Sequence, residues 1–146
     1  MIVIEEMTEE DVEQASELES RSFSMPWRAE DFLEMVKADY AHYFVAKEEG
    51  KIIGCCGLRD ISGEGEITNV VVDSDCRGRG IGRALVEKMA VYVRDELGKS
   101  RMTVNASPFG VPFYHKIGFR NLGEERQRDG ILYTPMEYLI ENRKAW

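Results

Sequence analysis

Residues 77–83 read Arg-Gly-Arg-Gly-Ile-Gly-Arg, so three cations and three glycines share one short segment. An apolar run ending Val70-Val71-Val72 precedes them, and a long amphipathic stretch follows. Strand, glycine-rich loop and helix N-terminus in that order build a phosphate cradle. Free backbone N–H groups converge there, the helix dipole favours an anion, and glycine lets a ligand approach closely. A plain connector between strand and helix needs neither the arginines nor the glycines. A nucleoside-triphosphate loop requires Lys-Ser or Lys-Thr directly after the glycines, and neither pair follows them here. A dinucleotide fingerprint, Gly-x-Gly-x-x-Gly, fits at Gly78 and Gly80 but fails at Arg83. No ribose-binding acid closes a second buried parallel strand downstream. The spacing that does fit is Arg-x-x-Gly-x-Gly, at Arg77, Gly80 and Gly82.

On that motif the chain resembles the GNAT superfamily, acyltransferases that move an acyl group from coenzyme A to an amine. The resemblance implies that amides of Arg77, Gly78, Arg79, Gly80, Ile81, Gly82 and Arg83 hold the pyrophosphate of acetyl-CoA. It implies that Val70, Val71 and Val72 align the pantetheine arm and polarise the thioester through their backbone. A second block, Asn105 to Phe119, carries the family's Phe-Tyr pair and its Ile-Gly-Phe ending. It implies Tyr114 as the general acid that returns a proton to sulfur, and Asn105 as a partner of the cofactor arm. From the residues alone, Tyr114 reads as an aromatic packed beside Phe113 and Phe119. His115 reads as a helix-surface residue.

The attacking amine is mostly ammonium at neutral pH, so a base is required. Glu66 stands eleven residues before Arg77. That is the glutamate-to-loop spacing of the histone-acetyltransferase branch of the family, which makes Glu66 the candidate base, directly or through water. Glu64 is a second choice, and a solvated strand-edge carboxylate is the purely structural reading. Phe23-Ser-Met-Pro-Trp27, followed by Phe32, resembles the start of bacterial ribosomal-protein alanine acetyltransferases. Trp27 is therefore a candidate on the acceptor side, set against simple burial where two helices turn. One departure counts against that subgroup: its members carry a catalytic glutamate on the fifth strand. Here residues 99–123 contain no Asp or Glu, and Met102 and Thr103 occupy that region. The implied reaction is direct attack on acetyl-CoA by a primary amine of a small molecule or peptide. Protein N-terminal acetylation is the alternative. An acyl-CoA-binding regulatory module without turnover and a non-enzymatic interaction domain are the rivals from other classes.

Composition sets the bounds. A chain of 146 residues is expected to form a single domain, 1–146, with its own core. The net charge of −8 argues against a nucleic-acid partner, sets the loop arginines apart, and favours a cationic acceptor. No apolar run approaches the ~20 residues of a membrane span, and the N-terminus lacks a signal-peptide pattern, so no membrane partner and a cytoplasmic location are expected. Cys55, Cys56 and Cys76 make an odd count with an adjacent pair, which is no disulfide framework. His42 and His115 are far apart and no Cys-x-x-Cys occurs, so no metal is expected. Either a monomer or a homodimer is expected.

The periodicity predicts the elements that must position these residues. Strands are expected at 2–6, 43–46, 52–58, 66–72, 102–105, 119–127 and 131–139. Helices are expected from Thr8 to about Phe23, around Phe32 to Ala38, from Gly80 to Leu97, and from Ser107-Pro108 to Gly118. Asp129-Gly130 marks a hairpin turn. The order is that of an α/β (α+β) domain. The resemblance implies the GNAT fold, a mixed, mostly antiparallel seven-stranded sheet flanked by about four helices. Its fourth and fifth strands splay apart, and a ligand must satisfy the unpaired backbone groups this leaves.

Overall fold

The computed structural model describes residues 1–21, 28–61 and 63–140. In chain order the elements are β1 (Ile2–Glu6), α1 (Val12–Ser20), α2 (Ala29–Val36), β2 (Ala41–Glu48), β3 (Lys51–Ile61), β4 (Glu64–Val72), α3 (Ile81–Asp95), β5 (Arg101–Ala106), α4 (Val111–Ile117), β6 (Arg120–Asn121), β7 (Arg126–Arg128) and β8 (Ile131–Leu139). Local chemistry sets the boundaries. The Thr8 N–H and hydroxyl both donate to Asp11 Oδ2, at 2.9 and 3.2 Å, which anchors the turn feeding α1. Glu49 and Gly50 take φ of 52° and 80°, the left-handed pair that a tight β2–β3 hairpin requires.

The strands form an eight-stranded sheet in the order β1-β2-β3-β4-β5-β8-β6, with β7 also paired on β8. All pairings are antiparallel except β4 with β5. Apolar side chains bury on both faces. One cluster joins Phe44, Leu58, Leu85, Met89, Val93, Met102 and Met136 under α3 and α4. The other joins Val12, Leu18, Phe32, Val45 and Val71 under α1 and α2. Strand β3 lies between both layers and is almost wholly buried, which explains its unbroken apolar run.

Two expectations need correction. The sheet has eight strands rather than seven, because the strand expected over 119–127 breaks. Asn121 pairs with Met136 and Arg126 with Tyr133, so four residues face only two on β8. One of those two is Pro135, which has no N–H to give; its carbonyl takes the Leu122 N–H at 2.7 Å. Helix α4 begins at Val111, not at Pro108. Ser107 instead caps a separate turn, its Oγ accepting the Gly110 N–H at 3.1 Å. The expected end of the first helix, at Phe23, lies outside the described residues.

Candidate functional site

The site begins where β4 leaves β5. Their pairing covers only Gly65 with Met102, Glu66 with Thr103 and Ile67 with Val104. On the other edge of β4, Leu58 pairs with Ile67 but Gly57 pairs with Asn69, so Thr68 is an extra residue in the ladder. A bulge bends its strand and increases local twist. It falls at the first residue without a β5 partner, and the two strands diverge from there. The Asp73 N–H donates to the Ile53 carbonyl at 2.8 Å, which fixes the phase of the β3–β4 ladder. Alternation along a strand then turns the backbone groups of Val71 toward β3 and those of Val70 and Val72 into the gap. Of the three valines expected to offer amides, Val71 instead contributes a buried side chain to the α1/α2 core.

The gap widens into a cleft of about 870 Å³ lined by both strands, the 76–83 loop, the 107–110 turn and α4. In the loop, Gly78 and Gly80 adopt φ of 82° and 77°, which glycine alone takes without strain. The Ala84 N–H makes the first helical bond, to the Gly80 carbonyl, so the amides of Ile81, Gly82 and Arg83 have no partner within α3. Gly82 serves packing as well: a Cβ there would stand 3.0 Å from the Phe113 ring of α4. Arg77 and Arg83 line the cleft, and Arg83 also pairs with Glu87 at 3.0 Å. Arg79 does not line it; its guanidinium is held by Glu48 at the end of β2, at 3.1 and 2.5 Å. Asn105 lies on the opposite wall.

Tyr114 lines the same cleft and is only 6% exposed. Its ring packs edge-on to Phe113 and Phe119, with centroids at 5.0 and 5.1 Å. Burial pushes its phenol well above the ordinary tyrosine range, so it stays a proton donor at neutral pH. Glu66 lies on the other face of the sheet. Its neighbour Gly65 is packed against Val93 of α3, and Ile67 belongs to the α3 core, so alternation turns Glu64 and Glu66 toward the α1/α2 side. Arg59 Nε donates to Glu66 Oε1 at 2.8 Å. Glu64 takes Arg101 Nη1 at 3.0 Å and is also bonded by the Thr103 hydroxyl. The fifth-strand position without a carboxylate thus receives one from β4. Tyr114 lines the cleft, whereas Glu66 does not: it lies on the opposite face, on the segment of β4 that is still paired with β5 through Thr103. Trp27 lies outside the described residues.

The remaining candidates resolve simply. Cys55 and Cys56 are fully buried, and burial pushes the Cys55 thiol up to about 12, so neither is an available nucleophile. The exposed His115 bonds Asn121 at 2.7 Å. His42 meets the Tyr92 hydroxyl at 3.1 Å on a different part of the sheet. Among the described residues no cluster of three or more His, Cys, Asp or Glu could hold a metal, and no helix is long and apolar enough to cross a membrane. Phe109, Phe113 and Lys116 also line the cleft, as do Thr68 and Asn69 of the bulge. Sequence reasoning missed them: a bulge leaves no mark in a polar pair such as Thr-Asn. The only signal for Phe109 was an aromatic placed directly after Pro108.

The donor set fits a pantetheine-linked diphosphate. An open strand edge offers amide partners to an amide-rich arm, and left-handed glycines with unpartnered helix N–H groups offer a nest to the diphosphate. The chain matches the family described as Acetyltransferase (GNAT) domain over residues 3–140. A Bacillus subtilis protein, provisionally named a ribosomal protein bS18-alanine N-acetyltransferase, is 29% identical over 121 residues, 80% of each chain. The N-alpha-acetyltransferase RimI of Mycobacterium tuberculosis is 25% identical over 132 residues, 86% of this chain and 83% of that one. The crystal structure of the ribosomal-protein-S18-alanine N-acetyltransferase from Escherichia coli shares the fold, with a TM-score of 0.81 at 21% identity, over 96% of this chain and 94% of that one. Fold, cleft and family match agree: the chain belongs to the GNAT family and is an acetyl-CoA-dependent N-acetyltransferase.

Proposed function

We propose that the acceptor is the α-amino group of a polypeptide N-terminus, the reading ranked second on sequence. The observation that carries it is similarity over 80% and 86% of this chain to a protein provisionally named a ribosomal protein bS18-alanine N-acetyltransferase and to an N-alpha-acetyltransferase. The chemistry of the site supports it. No imidazole lines the cleft, and the candidate bases Glu64 and Glu66 are carboxylates, a weakly basic class of side chain. An α-amino group, with an ordinary pKa of about 7.7–8.0, is roughly a tenth neutral at pH 7. A lysine amine at about 10.4 is neutral in under a thousandth of molecules. A weak base therefore suits the first acceptor better.

In this reading the amine enters from the α1/α2 face and attacks the thioester carbonyl carbon, forming the C–N bond as the C–S bond breaks. Glu66 takes the proton from nitrogen. Tyr114, on the other face, gives one to the departing sulfur and recovers it from solvent. Backbone groups of Val70 and Val72 polarise the thioester and align the arm. The amides of Gly78 and of Gly80 through Arg83 hold the pyrophosphate, with Arg77 beside them and Asn105 on the opposite wall. Positioning and fixed dipoles supply most of the acceleration.

An acceptor panel tests the proposal. Free thiol released from acetyl-CoA is measured with an alanine-starting peptide, the same peptide blocked at its N-terminus but carrying lysine, spermidine, an aminoglycoside and glucosamine 6-phosphate. The unblocked peptide is expected to give the highest kcat/KM, and blocking to abolish turnover. Equal or faster turnover of the blocked peptide, or of a small amine, overturns the assignment.

A further inference from the structure

Three cations line the cleft, Arg77, Arg83 and Lys116, and none of the described residues lining it is Asp or Glu. An amine that arrives as ammonium therefore needs oxygen acceptors and negative charge from elsewhere. The wall that turns toward α1 is the bulge, where Thr68 and Asn69 line the cleft. Asn69 also reaches out of it: its Nδ2 donates to Glu19 Oε2 of α1 at 3.3 Å. Glu19 is a carboxylate only 6% exposed.

The bonding fixes which way these side chains point. An ionised carboxylate can only accept, so Glu19 holds the amide nitrogen of Asn69 toward α1 and leaves the oxygen for the cleft. That oxygen accepts the Thr68 hydroxyl at 3.1 Å and keeps a second lone pair. Gly57 makes room on β3: a Cβ there would stand 2.8 Å from Thr68 Oγ1 and would overlap the Tyr43 ring. The charge behind the bulge is weakly screened, because little water surrounds it. Burial first and the Glu19 charge second push the Cys55 thiol of β3 up to about 12, so the field of Glu19 reaches into the sheet.

We infer that Thr68 and Asn69 form the docking site for the acceptor's ammonium group, with Glu19 as the positioning residue that fixes the Asn69 amide and supplies the countercharge. The ammonium donates to Thr68 Oγ1 and Asn69 Oδ1, at the point where β4 leaves β5 and the thioester arm enters the gap. The inference rests on the proposed entry of an α-amino acceptor from the α1/α2 face, and it gives that amine a place to bind before its proton leaves. Glu66 then has only the proton to take. A chain end without an amino group gains nothing from the site, which makes it a determinant of specificity.

The test compares two peptides in the acetyl-CoA assay. One is the alanine-starting peptide, whose KM is measured. The other has that alanine replaced by a propionyl group, so it lacks only the α-amino group, and its Ki is measured as a competitive inhibitor. Glu19→Gln keeps the side-chain shape and removes the charge. It is expected to raise the KM of the alanine peptide about tenfold, with kcat changing by less. The Ki of the propionyl peptide and the KM of acetyl-CoA should stay within about twofold of the parent. Thr68→Val, at an exposed position, should raise the alanine-peptide KM several-fold with the same selectivity. The two changes combined should fall short of the product of their effects, because Glu19 acts through the amide that Thr68 also bonds. An unchanged KM, an equal loss with both peptides, or a matching loss for acetyl-CoA overturns the inference, while the acceptor reading stands on the parent's own turnover. If the parent turns over only another amine of the panel, the peptide reading falls. Glu19→Gln is then measured with that amine, and an unchanged KM again overturns the inference. A parent that releases no thiol with any amine overturns both.

Discussion

Tyr114→Phe removes one oxygen from the centre of the proposed chemistry, and the structure separates its two consequences. The ring packing against Phe113 and Phe119 survives, because only the hydroxyl is lost. That hydroxyl makes no hydrogen bond among the described residues, in a side chain only 6% exposed. Folding stability should therefore stay within about 1 kcal/mol of the parent. For a chain of this size that is a Tm shift within about 4 °C. Catalysis should respond very differently, because a positioned general acid contributes about 10²–10⁴ in rate. A hundredfold fall in kcat corresponds to about 2.7 kcal/mol of barrier. Thiol release under saturating acetyl-CoA and peptide, paired with a thermal melt, measures both. Burial raises the phenol pKa, so the folded state holds this proton more tightly than the unfolded chain does. Its stabilising contribution is present below the ordinary tyrosine pKa of about 10 and is lost as pH rises through the elevated folded value. No alkaline loss of activity from Tyr114 is expected below about pH 10. A variant that keeps kcat within about threefold of the parent refutes the acid role. A Tm lower by more than about 8 °C would instead show that the hydroxyl is structural.

Glu66→Gln should lower kcat/KM at neutral pH by about a hundredfold, with partial recovery at alkaline pH as the free amine accumulates; a pH–rate profile parallel to the parent's removes Glu66 as the base. Gly65→Ala would set a Cβ 2.6 Å from Val93 Cγ2 and push α3 away from β4. Chemical denaturation should show a loss of about 1–3 kcal/mol, and an unchanged midpoint would mean the helix–sheet contact is looser than drawn. Glu137 is 5% exposed and its carboxyl is held below the usual range by hydrogen bonds from Arg101 and then Arg120, against the opposing effect of burial. A lowered folded pKa gives stability that is present above the unfolded value of about 4.3 and lost as pH falls through the folded one. Glu137→Gln should cost about 1–3 kcal/mol at pH 7, and its deficit should shrink in acid; a pH-independent deficit contradicts the ion-pair account.

Local signals carried much of this architecture. Asp129-Gly130 takes its hairpin turn at φ of 51° and 80°, and Gly118 ends α4 at φ of 122°. Most of the glycine-arginine loop lines one cleft with Tyr114, and Arg79 does not. What escaped depends on contacts distant in sequence. The Thr68 bulge that parts β4 from β5 is a property of how β4 meets β3, and no periodicity in β4 reveals it. The phase that spends Val71 on the β3 ladder is set by Asp73 and Ile53, twenty residues apart. Arg79 looked equivalent to its loop neighbours until Glu48, on β2, supplied its partner. The break between β6 and β7 follows from Pro135 on the facing strand. The fifth strand was a further case: Thr103 reads as a missing acid in the sequence, and only the fold brings Glu64 of β4 against it.

Amide hydrogen exchange with and without acetyl-CoA tests the central claim most directly, since it reports on the backbone groups said to receive the cosubstrate. Saturating acetyl-CoA should slow exchange at Val70 and Val72 and across Gly78 to Arg83, while Val71, already bonded to β3, should change little. Protection confined to other strands, or none at this open edge, would contradict the account.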